Sequence, residues 1–113
     1  MSFLALLVLV ALPAVTSALA QAPSVVVSIK PIHSLIAGVM KGIGTPHLLV
    51  KGSASPHIFA MRPSDARVLE KADVVFWVGE TVESYLVKPL QSIGARAQIV
   101  ELLTGKDIRV LAA

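Results

Sequence analysis

The sequence predicts an α/β fold, an open parallel four-stranded sheet built from βαβ crossovers. Two observations carry this. Short β-branched or aliphatic runs recur four times, at residues 25–29, 47–50, 74–78 and 98–102, and the segments between the first three carry apolar residues at helical spacing. Strands that alternate with helices pair in parallel through right-handed connections, with helices on both faces of the sheet.

Each element has its own signals. Val25-Val26-Val27-Ser28-Ile29 is apolar at nearly every position, as a strand covered on both faces should be. Pro31 suits a helix start, Ile32, Leu35, Ile36, Val39 and Met40 give that helix an apolar face, and Gly42 and Gly44 end it. The second strand runs from His47 into the small-residue loop Gly52-Ser53-Ala54-Ser55-Pro56-His57. Pro63 then opens a helix with Asp65 in its first turn, where a carboxylate favours the helix dipole, and with Ala66, Leu69 and Ala72 inward. Val74 to Val78 form the third strand, closed by Gly79. A third helix is expected from Thr81 to about residue 87, with Val82, Tyr85 and Leu86 on one face and Pro89 kinking or stopping it. Gln98 to Leu102 is the last strand, residues 104–107 read as a turn, and residues 108–111 suit a short extra strand.

Phe3 to Leu12 is almost unbroken apolar sequence, Pro13 breaks it, and Ala18-Leu19-Ala20 is a small-x-small cleavage pattern. Residues 1–20 are therefore expected to be a secretory signal peptide, although no Lys or Arg precedes the apolar run. Its apolar core is too short for a stable membrane span, so no stable membrane insertion is expected after cleavage. Residues 21–113 hold all ten basic and all seven acidic residues and suffice for one modest core. The net charge of +3 is spread without a basic cluster, so no nucleic-acid partner is expected. The absence of cysteine excludes disulfides, thiolate metal sites and cysteine nucleophiles.

In an open parallel sheet, ligands bind beyond the carboxyl ends of the strands. His57 lies beyond one such end, and residues 30–33 and 79–80 lie beyond two others. Position alone leaves His57 between a metal ligand and a solvated loop histidine. His33, in the first turn of a helix, reads as a capping or packing residue, and His47, beside Pro46, as exposed. Glu80 and Glu83 are three apart and read as a solvated helix face. Phe76 and Trp77 are adjacent in a strand and point to opposite faces of the sheet. No Gly-x-Ser-x-Gly elbow, dinucleotide loop or phosphate cradle is present.

Ser55-Pro56-His57, Arg62-Pro63-Ser64-Asp65 and residues 72–79 (Ala-Asp-Val-Val-Phe-Trp-Val-Gly), in that order and spacing, resemble the periplasmic zinc-binding solute-binding proteins that feed ABC importers, the high-affinity zinc-uptake type. Ser28-Ile29-Lys30-Pro31-Ile32 resembles that family's first strand and helix entry. The resemblance implies two α/β lobes joined by a long helix, with residues 21–113 as the N-terminal lobe and the second lobe absent. It further implies a metal held between the lobes and His57 as the first-lobe ligand. Pro56 stands where some members carry a glutamate, and Ile58 and Phe59 follow where Asp and Tyr are frequent, so the lip of the site is more apolar.

The expected function is periplasmic capture of Zn²⁺, bound as transported ligand, and its delivery to the membrane permease of an ABC importer: binding, not catalysis. Zinc favours four ligands, and this sequence supplies one, His57. The alternatives are a manganese-binding member of the same superfamily, a truncated product without independent activity, and a metal-dependent hydrolase fragment. The last lacks the His-x-His or His-Glu-x-x-His arrangement it would need.

Overall fold

In the computed structural model, residues 21–51, 60–109 and 111 are described. The expected signal peptide and the loop carrying His57 fall outside them. Four strands, β1 (Val25–Val27), β2 (His47–Leu48), β3 (Val74–Trp77) and β4 (Gln98–Glu101), form one parallel sheet in the order β2-β1-β3-β4. Among the described residues, three α-helices accompany them: α1 (Lys30–Val39), α2 (Pro63–Glu70) and α3 (Val87–Ser92). The predicted open α/β sheet and its crossover order are therefore observed.

The register explains why β1 and β3 are apolar throughout. Val25, Val27, Val74 and Phe76 pack on one face with Ile32, Ile36 and Met40 of α1 and its end. Val26, Val75 and Trp77 pack on the other with Leu69 and Ala72 of α2 and its end, Leu86 and Leu90. Phe76 and Trp77 do face opposite ways. Val26, Val27, Leu69, Val75 and Leu86 have no exposed surface, and burying a side chain of this size contributes about 1.5–3 kcal/mol.

Helix starts follow the prolines. Pro63 is the first residue of α2, and Pro31 is the second of α1, after Lys30. Neither position has an intrahelical acceptor for an amide, so the missing N–H costs nothing. Beyond α1 the chain turns at Gly42, whose φ of +84° only glycine adopts freely.

The third helix differs from expectation. Residues 80–82 form turns, a 3₁₀ turn covers Ser84–Leu86, and α3 begins only at Val87. Pro89 is its third residue, again within the first turn, so it helps to start α3 and does not stop a preceding helix. Val82 is consequently exposed, not aligned with the buried Leu86. At the far end, residues 102–104 are a 3₁₀ turn and residues 106–107 a turn, and residues 108, 109 and 111 carry no strand.

Candidate functional site

The sheet order reverses between β1 and β3. From β1 the chain crosses outward to β2, then returns past β1 to β3. The carboxyl ends of β1 and β3 therefore flank the crevice where such sheets hold ligands. Ser28 sits there, fully buried. Its amide donates to the Phe76 carbonyl at 3.0 Å, and its own carbonyl accepts the Val50 amide at 3.0 Å, which ties the three strand ends together. The Ser28 hydroxyl has no hydrogen-bond partner among the described residues.

Val50 and Lys51 carry the chain away from that edge, and Ala60 to Arg62 bring it back to α2. His57 belongs to the intervening stretch, outside the described residues. The two ends of the stretch are linked by a pair that sequence reasoning missed. His47, expected to be exposed, is half-buried on β2, and its Nε2–H donates to Asp65 Oδ1 at 3.0 Å. Asp65 is 4% exposed in the first turn of α2. A buried carboxylate needs a donor, and the adjacent strand supplies an imidazole.

His33 behaves as a packing histidine. Its Nε2 lies 3.0 Å from the Pro46 carbonyl oxygen, which can only accept, so Nε2 carries the proton. This bond anchors α1 to the entry of β2.

Beyond β3, Glu80 is exposed, as expected, but Glu83 is not the solvated residue the spacing suggests. It has no exposed surface. Its Oε2 accepts the Val78 amide at 2.7 Å, and its Oε1 accepts the Tyr85 hydroxyl at 3.3 Å. Gly79 permits this turn through its φ of +145°, and its carbonyl accepts the amides of Val82 at 3.1 Å and Glu83 at 2.9 Å. Burial, then the charge of Glu83, then its hydrogen bond push the Tyr85 phenol well above the ordinary range. A signal for Glu83 existed in the closing glycine with an acceptor four residues on, but the Val78 amide five residues back reaches it only through the turn at residues 80–82, where a helix is expected from the sequence.

Among the described residues, no group of three or more His, Cys, Asp or Glu side chains could hold a metal ion. None of their helices is long and apolar enough to cross a membrane. The edge thus offers a crevice with a buried hydroxyl, and beside it the departure and return of the histidine-bearing stretch.

The model of the family described as "Zinc-uptake complex component A periplasmic" matches residues 25–110. The chain is 45% identical over 87 residues to the high-affinity zinc uptake system protein ZnuA of Brucella abortus, which covers 77% of this chain and 26% of that protein. It is 31% identical over 108 residues to the protein of the same name from Haemophilus influenzae, covering 91% and 32%. The chain therefore spans about a quarter to a third of the length of these relatives. Among solved structures, the periplasmic zinc binding protein TroA of Treponema pallidum superposes with a TM-score of 0.62 at 20% identity, covering 69% of this chain and 28% of that one. The Mn-bound periplasmic metal binding protein of Candidatus Liberibacter asiaticus gives 0.63 at 21%, covering 74% and 32%. At these identities the superpositions speak to the fold, and the sequence matches speak to descent. By the family model and the sequence matches, the chain belongs to the family of the periplasmic zinc-uptake component A.

Proposed function

We propose that this chain captures zinc in the periplasm for delivery to an ABC importer's membrane permease, with His57 as a metal ligand. In the same reading residues 1–20 are a secretory signal peptide and residues 21–113 the N-terminal lobe of a solute-binding protein. One observation carries it above the rest: the family match, over residues 25–110, includes Ser55-Pro56-His57, in the sequence between β2 and α2. Relatives are named for high-affinity zinc uptake, and an imidazole ligand suits zinc. The role is binding and release, with no catalytic step. Neutral His57 donates a ring-nitrogen lone pair to Zn²⁺, so protonation competes with the metal and affinity falls as the pH is lowered.

Calorimetric titration of the chain with Zn²⁺, beside His57→Ala, tests this. The expected result is weak binding that the substitution abolishes, because one protein ligand of four cannot hold zinc tightly. Equal binding by His57→Ala would remove His57 from the site. Tight one-to-one binding by the unaltered chain would contradict the single-ligand reading.

A further inference from the structure

α2 is fastened to the sheet at two places and in two ways. Its second half is held by packing: Leu69 has no exposed surface and, with Ala72 just beyond the helix, belongs to the core that contains Val26, Val75 and Trp77. Its first turn is held by a polar contact. Pro63 and Ser64 are exposed there, whereas Asp65 is buried and accepts the His47 Nε2–H at 3.0 Å. Among the described residues no other side-chain hydrogen bond joins α2 to the sheet.

The register shows what this contact connects. His47 pairs with Val26 of β1, and the amides that follow it, Leu49 and Val50, donate to the Val27 and Ser28 carbonyls at 2.9 and 3.0 Å. The outgoing root of the segment that carries His57 is thus fixed by the sheet, and its returning root is the Asp65 end of α2. His47 and Asp65, eighteen positions apart in sequence, join the two roots directly.

We infer that His47 and Asp65 are positioning residues for zinc capture: their hydrogen bond sets the separation of the two roots and so pre-organises the segment that bears the His57 ligand. This rests on the reading of His57 as a zinc ligand. A segment anchored at both ends leaves fewer positions open to a ligand carried on it, so less freedom is lost when the metal binds. Releasing the returning root therefore lowers affinity although no ligand is removed.

Calorimetric titration of the full chain with Zn²⁺ tests this, with the folding of every variant checked by the emission of Trp77, the only tryptophan. Asp65→Ala removes the acceptor, leaves the His47 imidazole in place and strands no buried charge. It is expected to weaken zinc binding about two- to tenfold, the scale of one added ordering cost, and His47→Ala by a similar factor. His47→Gln returns an amide N–H close to the position of the Nε2–H and should restore most of the affinity. His33→Ala is the control: it breaks the contact of α1 with the Pro46 carbonyl, at the entry of β2 and away from both roots, and should leave affinity unchanged.

Unchanged affinity in folded Asp65→Ala would overturn the inference. Equal losses in Asp65→Ala and His33→Ala would overturn it too, because general destabilisation would then account for both. A loss in His47→Ala that His47→Gln does not relieve, with Asp65→Ala unaffected, would make His47 a ligand and not a positioning residue. His57→Ala separates this role from the zinc reading itself. If that variant binds zinc as the unaltered chain does, the ligand assignment fails; if it abolishes binding while Asp65→Ala binds normally, the positioning role alone fails.

Discussion

Glu83 Oε2 accepts the Val78 amide at 2.7 Å from a side chain with no exposed surface. This bond terminates β3. The first amide beyond the strand is satisfied by a residue five positions later, and the turn through Gly79 is held closed. Glu83→Ala removes an acceptor from both Val78 and Tyr85 and should cost about 1–3 kcal/mol, the scale of a lost hydrogen bond to a charged group in a partly buried site. Glu83→Gln keeps an acceptor oxygen and should cost less. Urea denaturation checks both. The expected signature is a lower midpoint at unchanged slope, with the alanine variant the weaker of the two.

The same carboxylate acts on Tyr85. Burial first, then the Glu83 charge and hydrogen bond, raise the phenol's folded-state pKa above the unfolded value near ~10. A raised folded-state value means that the native state holds a proton the unfolded state has released. The associated stability is fully present below pH ~10 and is lost as pH rises through the folded value. Tyr85 is the only tyrosine, so phenolate absorbance reads it alone. Its titration midpoint should lie above that of free tyrosine, and Glu83→Gln should lower it. An unchanged midpoint in that variant would detach the shift from Glu83.

How much of this was legible beforehand depends on whether the partner was local. The strands at Val25–Val27 and Val74–Trp77 were readable because a sheet covered on both faces demands apolar residues at every position. The starts of α1 and α2 were readable because Pro31 and Pro63 act within their own first turns. Pro89 was misread because one residue fits two local roles, stopping a helix or starting one, and only the turn at residues 80–82 decides between them. Glu83 and His47 were misread for another reason. The Asp65 carboxylate is brought to His47 by the fold, and the Val78 amide reaches Glu83 through a turn where helical spacing predicts a helix, so charge and spacing alone suggest solvent. His57, the residue singled out by both position and resemblance, lies in the stretch outside the described residues.

The His47–Asp65 pair should behave as one unit. It joins β2 to α2 across the stretch that carries His57, and Asp65 is nearly inaccessible to solvent. His47→Ala leaves that carboxylate without its donor and should cost about 1–3 kcal/mol. His47→Ala and Asp65→Asn together should cost less than the sum of the two separately, because once the pair is broken the second change has little left to remove. A double-mutant cycle in urea measures the coupling, expected at about 0.5–3 kcal/mol. Strict additivity would mean that the 3.0 Å contact contributes nothing beyond proximity.

Gly79 and Glu101 test whether the turn after β3 rests on backbone or on packing. Gly79 has φ +145°, and a Cβ there would lie 2.6 Å from Glu101 Oε1. Gly79→Ala therefore meets two obstacles: a backbone conformation that costs an L-residue about 1–3 kcal/mol, and the end of a side chain. The second is the weaker, because a glutamate can swing its carboxylate aside. Adding Glu101→Ala should recover only a small part of the stability lost in Gly79→Ala. Full recovery would show that the glycine is needed for room, not for its dihedral angle. If the backbone cost dominates, Gly79→Ala should also weaken the turn that holds Glu83, and the Tyr85 titration midpoint should fall toward that of Glu83→Gln.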